Sequence, residues 1–331
     1  MAWWRRFGRA PSREGVVGLE LGETGVALAH RVGPMEAPRI AAWAFRPCEA
    51  GAELGDLLAS AVRDHGLAGT RCRVVLPPGR YGLRLVDAPD VEPEEVAAAA
   101  HWLVKDLIDF PLEEAVVDHF PLPAQPGRPS RMYVVTTREE VVREMAEATE
   151  AAGLALEVVD VAELALRNLA ARLPEDGAGQ ALLRLGRRGG LLTMSQGGQL
   201  YLARGVETGS EALAAPAPFE GDALVLGSRG EEEAANEAFD LLVLEIQRSL
   251  DYYESSLGQP PIPHLAVAPL VEPVPGLLPY LEKHLSASVR SLDLGELLTP
   301  DAAAEAEGVD AHCLMAVGAA LGPAGPEDGT P

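Results

Sequence analysis

Residues 16–32 read VVGLELGETGVALAHRV and residues 182–194 read LLRLGRRGGLLTM. Leu19-Glu20-Leu21-Gly22-x-x-Gly25 in the first stretch lines up with Leu183-Arg184-Leu185-Gly186-x-x-Gly189 in the second, 164 positions later. In both, leucine- and valine-rich runs flank a glycine turn, the pattern of two strands joined tightly. A further apolar run follows each pair, RIAAWAFR at 39–46 and GGQLYLAR at 197–204. Each copy therefore opens a three-stranded meander, and the offset is about half the chain. The spacing predicts a duplicated α/β unit.

Outward from these turns, strands and helices alternate. Helical spacing over 52–66 puts Leu54, Leu57, Leu58, Ala61 and Val62 on one face. RCRVVLPP is a short strand stopped by Pro77 and Pro78. The spacing then predicts a strand at YGLRLVD and an acid-opened helix from 92 to 108, stopped at Pro111. Strands at 114–121 and 131–137 follow, joined as a hairpin across PLPAQPGRPS. A helix over 138–152 ends at Gly153, and a strand at 154–160 and a helix at 161–173 precede the polar turn PEDGAGQ. In the second half a helix over 231–257 carries Phe239, Leu242, Val243, Ile246, Leu250, Tyr253 and Leu257 on one stripe. It halts at Gly258 and the Pro260-Pro261 pair. Strand HLAVAPL, helix 276–285, strand SVRSLDL and helix 309–321 complete the half. Two similar α/β domains with paired glycine turns are the architecture of the actin-like (RNase H-like) fold, in which the turns clasp a nucleotide's phosphates.

Composition narrows the function. The chain has 331 residues and a net charge of −23, which disfavours nucleic acid as a partner because phosphate binding runs on positive surface. The two lysines, Lys105 and Lys283, lack a G-K-[ST] context, so a P-loop NTPase is excluded. Cys48, Cys72 and Cys313 form no C-x-x-C and read as reduced thiols. The seven histidines show no metal-ligand spacing, and nothing orders Ser, His and Asp into a triad. No catalytic residue and no metal site is predicted. No apolar run reaches the length a membrane helix needs, and the start has no secretory h-region. Residues 1–13 hold Arg5, Arg6, Arg9 and Arg13 and no acid. Taking those four charges from the total of −23 leaves −27 for the remainder. Trp3, Trp4 and Phe7 with Arg5 and Arg6 pair interfacial rings with cations, the combination an anionic leaflet attracts.

Four stretches carry a resemblance: LVDAPDVEPEEVAAAAHWLVKDLIDFPLEEAVVDHF, AGLALEVVDVAELALRNLAAR, GGQLYLARGVETG and EIQRSLDYYESSLGQPPI. Over most of 15–321 the chain resembles the PilM/MshI group of type IV pilus biogenesis proteins, and is most similar to the MshI type of MSHA (mannose-sensitive haemagglutinin) pili. The resemblance implies an actin-like fold with a subdomain inserted in the first half. The expected parts are a basic aromatic head at 1–14, a first half at 15–78 and 138–178 closed by helix 309–321, and an inserted subdomain at 79–137. A second half at 179–308 and a disordered tail at 322–331 complete them. It also implies a cytoplasmic scaffold at the inner membrane that docks the cytoplasmic N-terminal tail of a PilN-like single-pass protein, with a pilus motor ATPase as a further partner. The groove would lie between the inserted subdomain and the first half. His101, Trp102 and Lys105 are its candidate residues, the alternative being that Trp102, Leu103 and Leu107 pack on the subdomain sheet.

The nucleotide elements depart from the family pattern. The resemblance places Glu20, Gly22, Gly25, Gly186 and Gly189 at the phosphate turns and Glu245 and Arg248 near a ribose. A Mg²⁺–phosphate centre uses a carboxylate at each turn. Glu20 keeps one, one methylene longer than Asp, whereas Arg184 stands at the second. Arg187 and Arg188 could hold phosphate oxygens instead. The adenosine loop, AVAPLVEPVPG, has no Gly-Gly. Glu245 and Arg248 also suit a plain i,i+3 ion pair on a solvent face. The expectation is a scaffold with a degenerate nucleotide site and no resident cofactor, ATP and Mg²⁺ being the ligands in question. The alternatives are an ATPase that regulates the pilus machine by domain closure, and the cytoplasmic domain of a type II secretion platform.

Overall fold

The structure is a computed structural model and describes residues 13–49, 52–125, 127–214, 229–297 and 311–323. The expectations for Trp3, Trp4, Arg5, Arg6 and Phe7, and for all of the tail beyond Pro323, lie outside those residues.

The first glycine turn joins β1 (Arg13–Gly22) to β2 (Gly25–Val32) as an antiparallel hairpin in which Gly22 faces Gly25. β3 (Arg39–Pro47) extends the meander, α1 (Leu54–Asp64) follows, and β4 (Thr70–Val75) returns parallel to β1. The chain then leaves this sheet to build another. β5 (Tyr81–Asp87), α2 (Val96–Leu103), β6 (Ala115–Pro121) and β7 (Arg131–Arg138) form an antiparallel sheet ordered β5-β7-β6 with one helix. α3 (Glu139–Ala151), β8 (Ala155–Asp160) and α4 (Ala162–Ala170) return it to the first sheet, whose order is β3-β2-β1-β4-β8.

Strand alternation sorts β1 between two layers. Val17, Leu19 and Leu21 pack with Leu58, Ala61 and Val62 of α1 and with Val141 and Met145 of α3. The opposite face receives the last helix, α8 by chain order, described below. A Cβ on Gly18 would stand 1.8 Å from the Ala316 carbonyl oxygen, and one on Gly318 would stand 2.5 Å from that of Ala165. The buried Arg31 of β2 donates through Nε to the Ala320 carbonyl at 2.8 Å, closing one of the helix's end groups.

In the second half, β9 (Gln180–Leu185), β10 (Gly190–Gln196) and β11 (Gln199–Val206) form the second meander. α5 (Ser210–Leu213) and the long α6 (Arg229–Ser255) follow, then β12 (His264–Val267), α7 (Leu277–His284) and β13 (Ser288–Ser291). The sheet order is β11-β10-β9-β12-β13, with β12 and β13 parallel to β9. Both five-stranded sheets thus share one plan, a meander followed by two parallel strands. The apolar stripe of α6 expected from its spacing is buried throughout, with Tyr253 at 1% exposure. α8 (Leu314–Ala320) closes the described chain. The chain divides into two compact units within α4, one made of residues up to Ala165 with those from Met315 onward, the other of Leu166–Leu314.

Several elements differ from the sequence reading. α2 ends at Leu103, not 108, and its last amides tighten into i→i+3 bonds, Lys105 N–H to Trp102 O and Leu107 N–H to Val104 O. Asp106 and Asp109 oppose the helix dipole just there. β12 ends at Val267, because Ala268 still donates to Leu183 but Pro269 has no N–H to give. The four-residue α5 was not expected at all. Substituting Gly18→Ala should destabilise the protein by about 1–3 kcal/mol, the usual overpacking range. Gly22→Ala, with nothing within 4 Å of the Cβ it would add, should leave the urea midpoint nearly unchanged.

Candidate functional site

The first glycine turn is shaped by its neighbour strand. Gly25 has φ +145°, and a Cβ there would meet the Arg46 carbonyl oxygen at 2.1 Å. Glu20 is half-buried on β1, on the α8 side with Gly18, in register with Ala27 and Val75. This turn keeps the one carboxylate that the reading assigned to it.

The second turn is engaged by its own chain. Gly186 N–H donates to Gly189 O at 2.7 Å. Ser210 N–H then donates to Gly186 O at 2.9 Å and Glu211 N–H to Arg187 O at 3.0 Å. The first residues of α5 therefore sit on the turn's carbonyls. Gly209 makes this approach possible, since a Cβ there would lie 2.4 Å from both Arg187 O and Gly189 N. Arg187, expected to be available to phosphate, instead pairs with Glu211 at 3.1 Å. Arg184 is half-buried on β9, opposite Leu191.

Glu245 braces the same region. Its Oε1 accepts the Glu207 N–H at 3.1 Å, just ahead of α5, while its Oε2 is buried with no hydrogen-bond partner. The ion pair with Arg248 offered as the plain alternative does not form, because the Glu245 carboxylate turns to a backbone amide and Arg248 stays exposed. Tyr253 packs edge-on to Tyr201 at 6.1 Å, and Tyr252 lies under the Arg204 guanidinium at 4.6 Å. Among the described residues no group of three His, Cys, Asp or Glu is placed to hold a metal ion.

The inserted sheet gives the clearest surface. Ala100 and Val104, one turn apart, bury against Met132 and Val134 of β7 and form the seam of α2. Trp102 and Leu103 between them face away. Trp102 is 68% exposed, Leu103 42% and Leu107 48%, with Val91 at 41% nearby. This overturns the alternative in which Trp102, Leu103 and Leu107 pack on the subdomain sheet. The cause is helical phase: Val96, Ala100 and Val104 form the seam at i, i+4, i+8, and Trp102 lies about 200° around the helix from Ala100. His101 is half-buried and Lys105 exposed beside them. The strip is rimmed by acids. Asp90, Glu92, Glu94, Glu95, Asp106, Asp109, Glu113 and Glu114 are all exposed, and over 87–118 Lys105 is the sole lysine or arginine.

The subdomain's root is pinned by a pair that the sequence did not suggest. Tyr81 Oη, at the start of β5, donates to Glu163 Oε2 at 2.7 Å and accepts the Ala162 N–H at 3.2 Å. Thr137 Oγ1, at the end of β7, donates to Arg80 O at 2.7 Å. Burial pushes the Glu163 carboxyl above its usual range, against the Tyr81 hydrogen bond that favours the charged form, and burial also pushes the Tyr81 phenol up.

No curated protein matches the sequence. The family model for the type IV pilus assembly protein PilM matches residues 48–214, half of the chain, from just before α1 through the inserted sheet to α5. The chain belongs to the PilM family. Similar solved structures extend over both units. A chain of a PilM–PilN type IV pilus biogenesis complex superposes with a TM-score of 0.72 at 23% identity, covering 93% of this chain and 98% of that one. The cytoplasmic domain of EpsL, an inner membrane component of the type II secretion system of Vibrio cholerae, gives 0.51 at 17% identity, covering 87% and 94%. A diol dehydratase-reactivating factor in nucleotide-free form gives 0.54 at 9%, covering 93% and 99%. The PilM-family chain has the actin-like α/β fold. The half matched by the family model contains the exposed strip of α2, and among the described residues no helix is long and apolar enough to cross a membrane.

The Tyr81–Glu163 pair makes a pH prediction. A carboxyl whose folded pKa lies above its unfolded value of 4.5 binds more protons in the folded state, so its contribution falls as pH rises from there through the folded pKa. Urea unfolding of Glu163→Gln should therefore lose stability less steeply than wild type above pH 4.5. Tyr81→Phe, which strands the carboxylate, should cost about 1–3 kcal/mol at neutral pH.

Proposed function

We propose that this PilM-family chain is an actin-like scaffold of a type IV pilus assembly machine of the MSHA (MshI) type, working at the cytoplasmic face of the inner membrane. It docks the cytoplasmic N-terminal tail of a PilN-like single-pass membrane protein on the inserted subdomain. The observation that carries this is the exposed Trp102, Leu103 and Leu107 strip inside its acid rim. A large exposed aromatic in a rimmed apolar strip is the usual anchor of a protein interface. Cytoplasmic tails of membrane proteins are rich in Lys and Arg, which suits the rim. The similar chain from a PilM–PilN complex supports the class of partner. The MSHA assignment rests on the resemblance of the sequence over most of 15–321. The head's rings and arginines suit loose contact with an anionic leaflet, and a pilus motor ATPase is a further candidate partner.

The ATPase reading is the second class. Its donor set does not suit a Mg²⁺–phosphate centre: one turn offers Glu20, but the other offers Arg184, and the carbonyls of Gly186 and Arg187 are already taken by α5. The scaffold therefore works without turnover, and Glu245 serves as a brace for α5.

Two titrations test this. A synthetic tail peptide should bind the full chain, and Trp102→Ala should weaken binding by roughly tenfold, an ordinary anchor's share. Unchanged affinity in the variant would remove the strip from the site. Calorimetry with ATP·Mg²⁺ should give no saturable heat; clear binding abolished by Glu20→Gln would favour the ATPase instead.

A further inference from the structure

We propose that the outer face of α6 is a self-association surface, on which a second copy of this chain lays its own α6 antiparallel. This goes beyond the docking of a tail on α2 and uses a different part of the molecule.

The buried stripe of α6, from Phe239 to Tyr253, occupies one side of the helix. At about 100° per residue, Leu241 and Leu244 fall on the opposite side. They are neighbours at i,i+3 and are 50% and 38% exposed. Exposed leucines scattered singly are ordinary, whereas an adjacent pair makes a patch.

Two charges frame that patch. Glu237 lies four residues before Leu241 and Arg248 four residues after Leu244, and both are exposed. Each charge therefore stands about 6 Å beyond its leucine along the axis, and all four residues fall within about 60° around the helix. The order along the stripe is acid, leucine, leucine, base, symmetric about the point midway between the leucines. The polar neighbours at its border are already engaged. Asp240 accepts from Tyr280 Oη at 2.6 Å, and Gln247 Nε2 donates to His284 O at 3.0 Å.

Such an order is complementary to itself under a two-fold rotation. With two α6 helices antiparallel, Leu241 meets Leu244 of the second copy and Glu237 meets its Arg248, and each contact occurs twice. Four leucines leave water together, bounded at either end by a charge-assisted acid–base pair. Parallel helices would set Glu237 against Glu237 and Arg248 against Arg248, which repel. The charges thus select direction and register, and the sequence that this stripe fits is the one it carries itself. The contact is isologous, so association closes at two copies.

Sedimentation equilibrium of the full chain tests this at about 0.15 M salt, where charges more than about 8 Å apart are largely screened. Wild type should pass from monomer to dimer with a Kd on the order of 100 μM, since one helix stripe is smaller than the ~800 Å² per partner of a stable complex. Glu237→Lys and Arg248→Glu should each weaken association at least tenfold, because like charges then meet at both ends. Mixed one-to-one, those two chains should form a heterodimer, and a chain carrying both changes should dimerise as wild type does. Leu241→Glu with Leu244→Glu should abolish the dimer and leave the thermal midpoint unchanged. A wild type that stays monomeric overturns the proposal. So does a dimer that survives either single charge reversal, or a mixture that fails to pair. A leucine variant with a lowered midpoint, in a wild type of unchanged mass, would show those leucines covered by their own chain and overturns it as well.

Discussion

The Ala316 carbonyl occupies the volume where any side chain at position 18 would be. That single exclusion organises the first unit. A helix backbone can lie directly on a central strand only where the strand offers glycine, and β1 is central in its sheet. Gly318 allows a matching approach to Ala165, and Arg31 reaches the end of the helix from β2. The sheet therefore has a second layer supplied by the far end of the chain. Without that layer the buried face opposite α1 and α3 would lie open to water.

The two five-stranded sheets repeat one plan but depart in what lies on their glycine turns. The first turn leaves Gly22 in open space, while the second is overlaid by α5 through amide-to-carbonyl bonds. Backbone groups already satisfied within the chain offer little to a ligand, since displacing them would strand buried partners. The halves thus diverge in hydrogen bonding more than in fold. Uncovered apolar side chains lie instead on the helix of the inserted sheet.

Much of this was legible in the residues. The repeated L-x-L-G-x-x-G turns gave both meanders, because glycine pairs and alternating apolar runs leave a strong local signature. The stripe on α6 was equally plain, since seven large residues hold one helical phase. The orientation of α2 was not legible: VAAAAHWL has no polar face to contrast with an apolar one, so periodicity alone could not say that Ala100, not Trp102, faces the sheet. α5 is too short for any period and is held by tertiary bonds to the second turn. Tyr81 and Glu163 lie 82 positions apart and carry no local mark of their pairing. Glu245 was singled out, but its acceptor role toward Glu207 depends on where β11 ends in space.

Tyr81 and Thr137 sit directly across from each other in the β5–β7 ladder. The whole inserted sheet is thereby closed at its base by one cross-strand pair. Seen from the parent fold, a segment of more than fifty residues enters and leaves through an opening no wider than that of a β-hairpin. Its loop-closure entropy is settled locally, and the parent sheet need not change to accommodate what hangs from it. Such a graft can be enlarged, trimmed or re-surfaced in descendants while β4, α3 and β8 keep their positions, which makes the part bearing the exposed strip of α2 the one most free to diversify.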